Sequence, residues 1–130
     1  MGAAFLPLTT DAARQVGAGD VACRAAEAEA AADATWASLL GGCNSARRWG
    51  LDTSLRQLSD AVRFHVGTKW WFSEGTPYRR RLAQAQGCIE DAVTESDGPE
   101  FARSFMGYDN AMAGAILCAG ERGTRLRTGP

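Results

Sequence analysis

Glycine and proline residues divide this chain into four segments, and within each segment the apolar residues recur every three or four positions. This spacing puts the apolar side chains on one face of a helix, and glycine and proline commonly end helices. The main breaks are Gly41-Gly42, Gly67, and Gly98 followed by Pro99. The pattern therefore predicts an all-α fold, an up-and-down bundle of about four helices at residues 20–40, 53–66, 77–95 and 99–119.

The length of 130 residues suits one such domain, which buries roughly two-thirds of the surface that its unfolded chain exposes. We predict a single helical domain over residues 1–130, with residues 1–19 and 121–130 peripheral or frayed. Asp11 to Val16 is expected to form only a short helical turn. Residues 68–72, TKWWF, are expected to form a tight connection or a short extended piece.

The overall charge argues against a nucleic-acid partner. The formal net charge is −1, whereas most nucleic-acid binding depends on an excess of positive charge. No run of apolar residues reaches the roughly 18 needed to cross a membrane, and the first residues lack the basic start of a cleaved Sec signal. Three alternatives are open: the protein stays in the cytoplasm, it is exported without a cleaved Sec signal, or a signal that preceded this sequence has been removed. All basic residues except Lys69 are arginine, which is typical of a GC-rich coding genome.

Four cysteines, Cys23, Cys43, Cys88 and Cys118, lie 20, 45 and 30 positions apart. Zinc sites usually draw their ligands in closely spaced pairs, so this spacing predicts no metal site. In an up-and-down bundle, Cys23 and Cys118 lie at one end, and Cys43 and Cys88 lie towards the other. Two alternatives are open: disulfides Cys23–Cys118 and Cys43–Cys88 in an oxidising compartment, or four reduced cysteines that serve as small core residues.

The single histidine, His65, falls on the apolar face of the second predicted helix. Such an imidazole can act as a general base or a metal ligand, or it can be a structural residue whose nitrogens bond to the backbone. A pocket here would combine His65 with Trp70, Trp71 and Tyr78. The sequence has no second histidine, phosphate-binding glycine loop or nucleophile elbow, so we predict no cofactor.

Two tryptophans and three arginines are the other candidate contacts. Trp70 and Trp71 can anchor a partner or stack on a ligand, or they can close the end of the core. Arg79, Arg80 and Arg81 occupy the first turn of the third predicted helix, where the helix dipole disfavours cations. A phosphate or an acidic partner would offset that cost. The alternative is a solvated surface whose arginines pair with acidic side chains.

The stretch from Ala25 to Val66 resembles the helical hairpins of the small WXG-type proteins. It consists of an alanine-rich helix containing Trp36, a glycine break and the segment LRQLSDAVRF. The resemblance implies an antiparallel helical pair and export by type VII secretion without a cleaved signal. The chain departs from the family pattern because Trp36 is not part of a Trp-x-Gly turn. It also lacks the YxxxD/E export signal, since neither Tyr78 nor Tyr108 has an acidic residue four positions later.

These observations favour a non-enzymatic helical protein that acts by association with another protein or with itself as a homodimer, and the resemblance adds a secretion-related role. The competing hypothesis is a small-molecule-binding protein or small enzyme with the pocket around His65. The candidate contacts for a partner or ligand are Trp70, Trp71, Tyr78, Arg79, Arg80 and Arg81.

Overall fold

The structure, a computed structural model, describes residues 5–41 and 47–128. Over these residues the chain forms six helices and no strand. The all-α prediction is confirmed, whereas the prediction of about four helices is wrong because it lacks the two short ones. The helices are α1 (Pro7–Gln15), α2 (Gly19–Gly41), α3 (Arg47–Val66), α4 (Thr68–Phe72), α5 (Thr76–Thr94) and α6 (Gly98–Thr128).

The four long helices form two hairpins. α2 packs along α3, and α5 packs along α6. Because the connection within each pair is short, the two helices of each hairpin run antiparallel. α6 is the central element, since it also contacts α1, α2 and α3. α1 lies against both α2 and α6 and so links the two hairpins.

The long helices follow the predicted segments, although α3 begins six residues earlier and α6 continues to Thr128. Their predicted apolar stripes form the core, because side chains one helical turn apart face the same neighbour. The buried members of these stripes are Val21, Ala25, Ala28 and Ala32 on α2, Leu55, Leu58 and Val62 on α3, Leu82 and Ile89 on α5, and Phe101, Phe105, Met112 and Ile116 on α6.

An aromatic cluster closes the core at the end where α2 stops and α6 begins. The centroid of the Phe5 ring lies 6.0 Å from that of Trp36, 5.6 Å from that of Phe101 and 5.3 Å from that of Phe105. Tilted and edge-on arrangements of this kind are favourable for aromatic rings. Residues 1–19 were expected at the periphery, but Phe5 and the residues of α1 that follow it contribute to the core.

Asp109 of α6 caps the start of α1. Its carboxylate accepts hydrogen bonds from the backbone N–H of Leu8 at 3.0 Å and of Thr9 at 2.8 Å, and from the Thr9 hydroxyl at 2.7 Å. The first N–H groups of a helix have no partner within the helix, and a negative charge is favoured at that end. Asp109 is only 3 % exposed, so it caps α1 inside the protein.

Glu29 of α2 adds a second carboxylate at the same place. It accepts hydrogen bonds from the backbone N–H of Phe5, at 3.1 Å, and of Leu6, at 2.8 Å. These distant partners explain why α1 begins at Pro7, whereas the local sequence predicts only a turn from Asp11.

Candidate functional site

The candidate site lies where α3 ends, α4 turns and α5 begins, and we call residues 64–81 the α4 corner. Gly67 makes the turn between α3 and α4 with a φ of 97°, which other residues rarely adopt. Trp71 anchors α4 in the core at 6 % exposure. The prediction of a connection or extended piece at residues 68–72 is therefore wrong. Burial of Trp71 and the contact of Arg79 with its carbonyl, described below, stabilise a helical turn that the local sequence does not favour.

The structure brings Trp70 and Tyr78 together. Their rings are stacked, with 6.1 Å between centroids and 26° between planes. Two glycines leave room for the two rings. A Cβ added at Gly75 would lie 2.9 Å from Cζ3 of Trp70, and a Cβ added at Gly114 would lie 3.0 Å from Cε1 of Tyr78. Nε1 of Trp70 is buried and has no hydrogen-bond acceptor among the described residues. The pair is thus held by packing between α4, α5 and α6.

Arg79 has an internal role. Its Nε donates a hydrogen bond to the carbonyl oxygen of Trp71 at 2.9 Å, and its guanidinium also donates to the Thr76 hydroxyl at 3.0 Å. The guanidinium carbon lies 4.8 Å from the centroid of the Phe72 ring, a cation–π geometry. These contacts satisfy a carbonyl at the end of α4, so Arg79 holds the α4 corner together.

The other two arginines of the run remain at the surface. Arg80 is exposed, and Arg81 is exposed with its guanidinium carbon 5.9 Å from the centroid of the Tyr78 ring. The sequence treats Arg79, Arg80 and Arg81 as one basic run, but the structure gives them three different environments.

His65 lies on the surface of the last turn of α3. The sequence predicts that the apolar stripe of α3 continues from Val62 to His65. In the structure it continues to Val66 instead, which packs against the core. The reason is that α3 ends at Val66 and Gly67 redirects the chain. Of the pocket residues considered from the sequence, the structure therefore buries Trp71, stacks Trp70 on Tyr78 and exposes His65.

Two exposed phenylalanines are the residues that sequence reasoning missed. Phe64 is 84 % exposed and Phe72 is 56 % exposed. Phe64 lies two positions after Val62, about 200° further around the helix at 3.6 residues per turn, so it faces away from the core. That displacement from the apolar stripe was the signal available in the sequence. Phe72 carried no such signal, because α4 was not predicted.

The α4 corner is positively charged. Residues 64–81 contain four basic residues and one acidic residue, Glu74, in a chain whose net charge is −1. Lys69, Arg80 and Arg81 are exposed. The two exposed phenylalanines therefore belong to a segment with an excess of positive charge.

The cysteines show no bonded pair in the described part of the chain. Cys23, Cys88 and Cys118 are free thiols, with Cys23 exposed and the other two half-buried. The structure therefore does not contain the Cys23–Cys118 bond considered from the sequence. Cys43, and with it the Cys43–Cys88 pair, lies outside the described residues.

The remaining chemistry of the described residues is sparse. No three histidine, cysteine, aspartate or glutamate residues among them lie close enough to hold a metal ion. No helix in the described ranges is long and apolar enough to cross a membrane. Burial raises the pKa of the Tyr108 hydroxyl to about 12, against the opposing effect of a hydrogen bond with Ser59.

Comparison with known proteins gives no indication of function, so the proposal below rests on the α4 corner. No protein-family model, curated protein or solved structure matches this chain.

Proposed function

We propose that this chain is a non-enzymatic helical protein that acts by binding another protein through the α4 corner. The observation that carries the proposal is the exposure of Phe64, which is 84 % exposed. The opposite side of the same helix, α3, buries Leu55, Leu58 and Val62 in the core. Burying such a side chain in an interface is worth roughly 1.5–3 kcal/mol. Phe72 adds a second exposed ring in the same corner.

The charges of the α4 corner indicate the chemistry of the partner. Lys69, Arg80 and Arg81 are exposed in the same α4 corner as the two rings, and residues 64–81 carry a single carboxylate, that of Glu74. Complementary charges orient partners and speed their encounter, while apolar contacts supply most of the affinity. We therefore propose a partner segment in which apolar side chains are flanked by aspartate or glutamate.

The arrangement of the aromatic residues supports binding over catalysis. Trp71 is an internal anchor, and the half-buried Trp70 packs on Tyr78. His65 is exposed on the last turn of α3 rather than enclosed with these rings. These positions favour the association hypothesis over a pocket around His65.

A secretion-related role is part of the proposal. It rests on the sequence resemblance of residues 25–66 to the WXG-type proteins. The test is whether the protein accumulates outside intact cells with its N-terminus uncleaved. Strict retention inside the cell would contradict this part alone.

Serine substitution of the exposed rings tests the proposal. The Phe64→Ser/Phe72→Ser variant should lose a partner that the unaltered protein co-purifies from its own cells, because about 3 kcal/mol or more of apolar contact is removed. The partner is identified by mass spectrometry and its affinity is then measured with both proteins purified. We expect the affinity to fall at least about 100-fold.

Met106→Ser is the matched control, since Met106 is an apolar side chain of α6 that is 65 % exposed and lies outside the α4 corner. It should leave the affinity unchanged. Equal affinities for the double variant and the unaltered protein would contradict the proposal. So would a chain that binds anionic lipid vesicles and co-purifies with no protein.

A further inference from the structure

A second surface shares Arg80 with the α4 corner and continues beyond it along α5: we propose that the outer face of α5 pairs with α5 of a second copy of this chain, antiparallel and about a two-fold axis. This face consists of Arg80, Gln84, Gly87 and Asp91, which recur at intervals of four, three and four residues. They lie opposite the side of α5 that buries Leu82 and Ile89 against α6. Arg80, Gln84 and Asp91 are exposed.

The order of these residues makes the face complementary to itself. Arg80 and Asp91 are equally far from the point between residues 85 and 86, and so are Gln84 and Gly87. If two copies of α5 lie antiparallel with that point on the axis, Arg80 of each copy faces Asp91 of the other. One arrangement thus forms two ion pairs, and the two-fold symmetry closes the assembly as a dimer.

The charges along α5 also run in the direction opposite to the one that the dipole of the helix favours. Its first turn contains no acidic residue and its last turn no basic residue. Arg79, Arg80 and Arg81 lie near the start, and Glu90 and Asp91 lie near the end. A helix dipole favours the reverse order. In the antiparallel pair the carboxylates of one copy lie beside the helix start of the other, so each copy supplies the charges that the other lacks.

Within the described part of the chain, neither charged side chain of this face is engaged. Among the described residues, Arg80 and Asp91 take part in no ion pair or side-chain hydrogen bond. Both remain available to a second copy. By contrast, Arg79 is committed to Trp71 and Phe72.

The centre of the face allows close approach of the two backbones. Gly87 lies in the middle of α5, where glycine is less stable than alanine. The fold of the single chain does not require a glycine at position 87, since a Cβ added there would meet no atom within 4 Å. Ala83, one turn earlier, is exposed and carries only a methyl group. Small residues four positions apart let two helices pack closely enough for Arg80 and Asp91 to meet.

Charge reversal tests the pairing by sedimentation velocity over a concentration series at low ionic strength. The unaltered protein should form dimers that weaken as salt is added, because exposed ion pairs are screened. Arg80→Glu and Asp91→Arg should each weaken the dimer at least about tenfold, since each turns two attractions into two repulsions. Mixing the two variants in equal amounts should restore a dimer, one copy of each, because every facing pair is again opposite in charge.

The controls separate this surface from others. Arg56→Glu makes the same charge change at an exposed position of α3 and should leave the dimer unchanged. Phe64→Ser/Phe72→Ser should also leave it unchanged, so loss of the α4 corner and loss of the α5 pairing give different results. An unaltered protein that stays monomeric at every concentration would overturn the proposal. So would variants that remain monomeric when mixed, or a dimer that Arg80→Glu does not weaken.

Discussion

Tyr108 shows what a single buried polar group does in this core. The side chain is fully buried on α6, and its hydroxyl oxygen lies 3.4 Å from the hydroxyl oxygen of Ser59 on α3. Burial raises its pKa from 10.0 to about 12, because the phenolate loses its hydration inside the protein. The folded chain therefore holds the Tyr108 proton more tightly than the unfolded chain does.

This difference predicts a loss of stability in alkali. Below pH 10 both states carry the proton and Tyr108 contributes no pH dependence. Between pH 10 and 12 the unfolded state releases it first, so the free energy of unfolding falls, by about 3 kcal/mol in total at about 1.4 kcal/mol per pKa unit.

Urea titrations of the unaltered protein and of Tyr108→Phe, from pH 8 to the alkaline limit, measure this loss. The variant lacks the ionisable hydroxyl, so its stability should fall less steeply above pH 10. Parallel curves for the two proteins would show that Tyr108 is not the group responsible.

At the scale of the helix, the four long helices carry local sequence patterns that mark them, whereas α1 and α4 do not. The four long segments could be predicted because periodic apolar residues and glycine breaks are local patterns. α1 depends on Asp109 and Glu29, which are about 100 and 24 residues away from their partners in the chain. No local pattern reveals such a cap.

The candidate site was predictable to a similar degree. The sequence singles out Trp70, Tyr78, Arg80 and Arg81, and the structure places all four in the α4 corner, whose role as a binding site stays a prediction. It did not reveal that Arg79 binds the Trp71 carbonyl, because that contact requires α4 to be helical. The exposure of Phe64 and Phe72 depends on the helical α4, which was not predicted, and on the end of α3 at Val66.

The cap on α1 gives a prediction at this scale. Asp109→Ala removes the acceptor of the backbone N–H groups of Leu8 and Thr9 and leaves the Thr9 hydroxyl only the backbone carbonyl of residue 109, at 3.4 Å, so the free energy of unfolding should fall by about 3 kcal/mol. Backbone hydrogen exchange should show the largest increase in α1, since the cap holds that helix and no other.

Asp91→Ala is the matched control, because it removes an exposed carboxylate from α5. At high salt, where the proposed dimer is weakened, it should change the free energy of unfolding by less than about 0.5 kcal/mol. A uniform rise in exchange over all helices for Asp109→Ala, or no change in stability, would show that Asp109 does not fix α1.

The whole molecule carries its charge unevenly. Residues 61–82 contain five basic residues and one acidic residue, whereas residues 83–100 contain five acidic residues and no basic residue. The two regions lie at opposite ends of α5, so the charge along this helix is positive near its start and negative near its end. The region near its start also contains Phe64 and Phe72, and both proposals follow from that asymmetry.

Placing a photo-crosslinking amino acid at position 64 is the most direct test of the central claim that the α4 corner binds another protein. Irradiation of the living source cells should join the chain to one predominant protein, at a segment that combines apolar and acidic residues, and the same amino acid at position 106 should not capture it. Capture of lipid at position 64, or of the same mixture of proteins at both positions, would contradict the account.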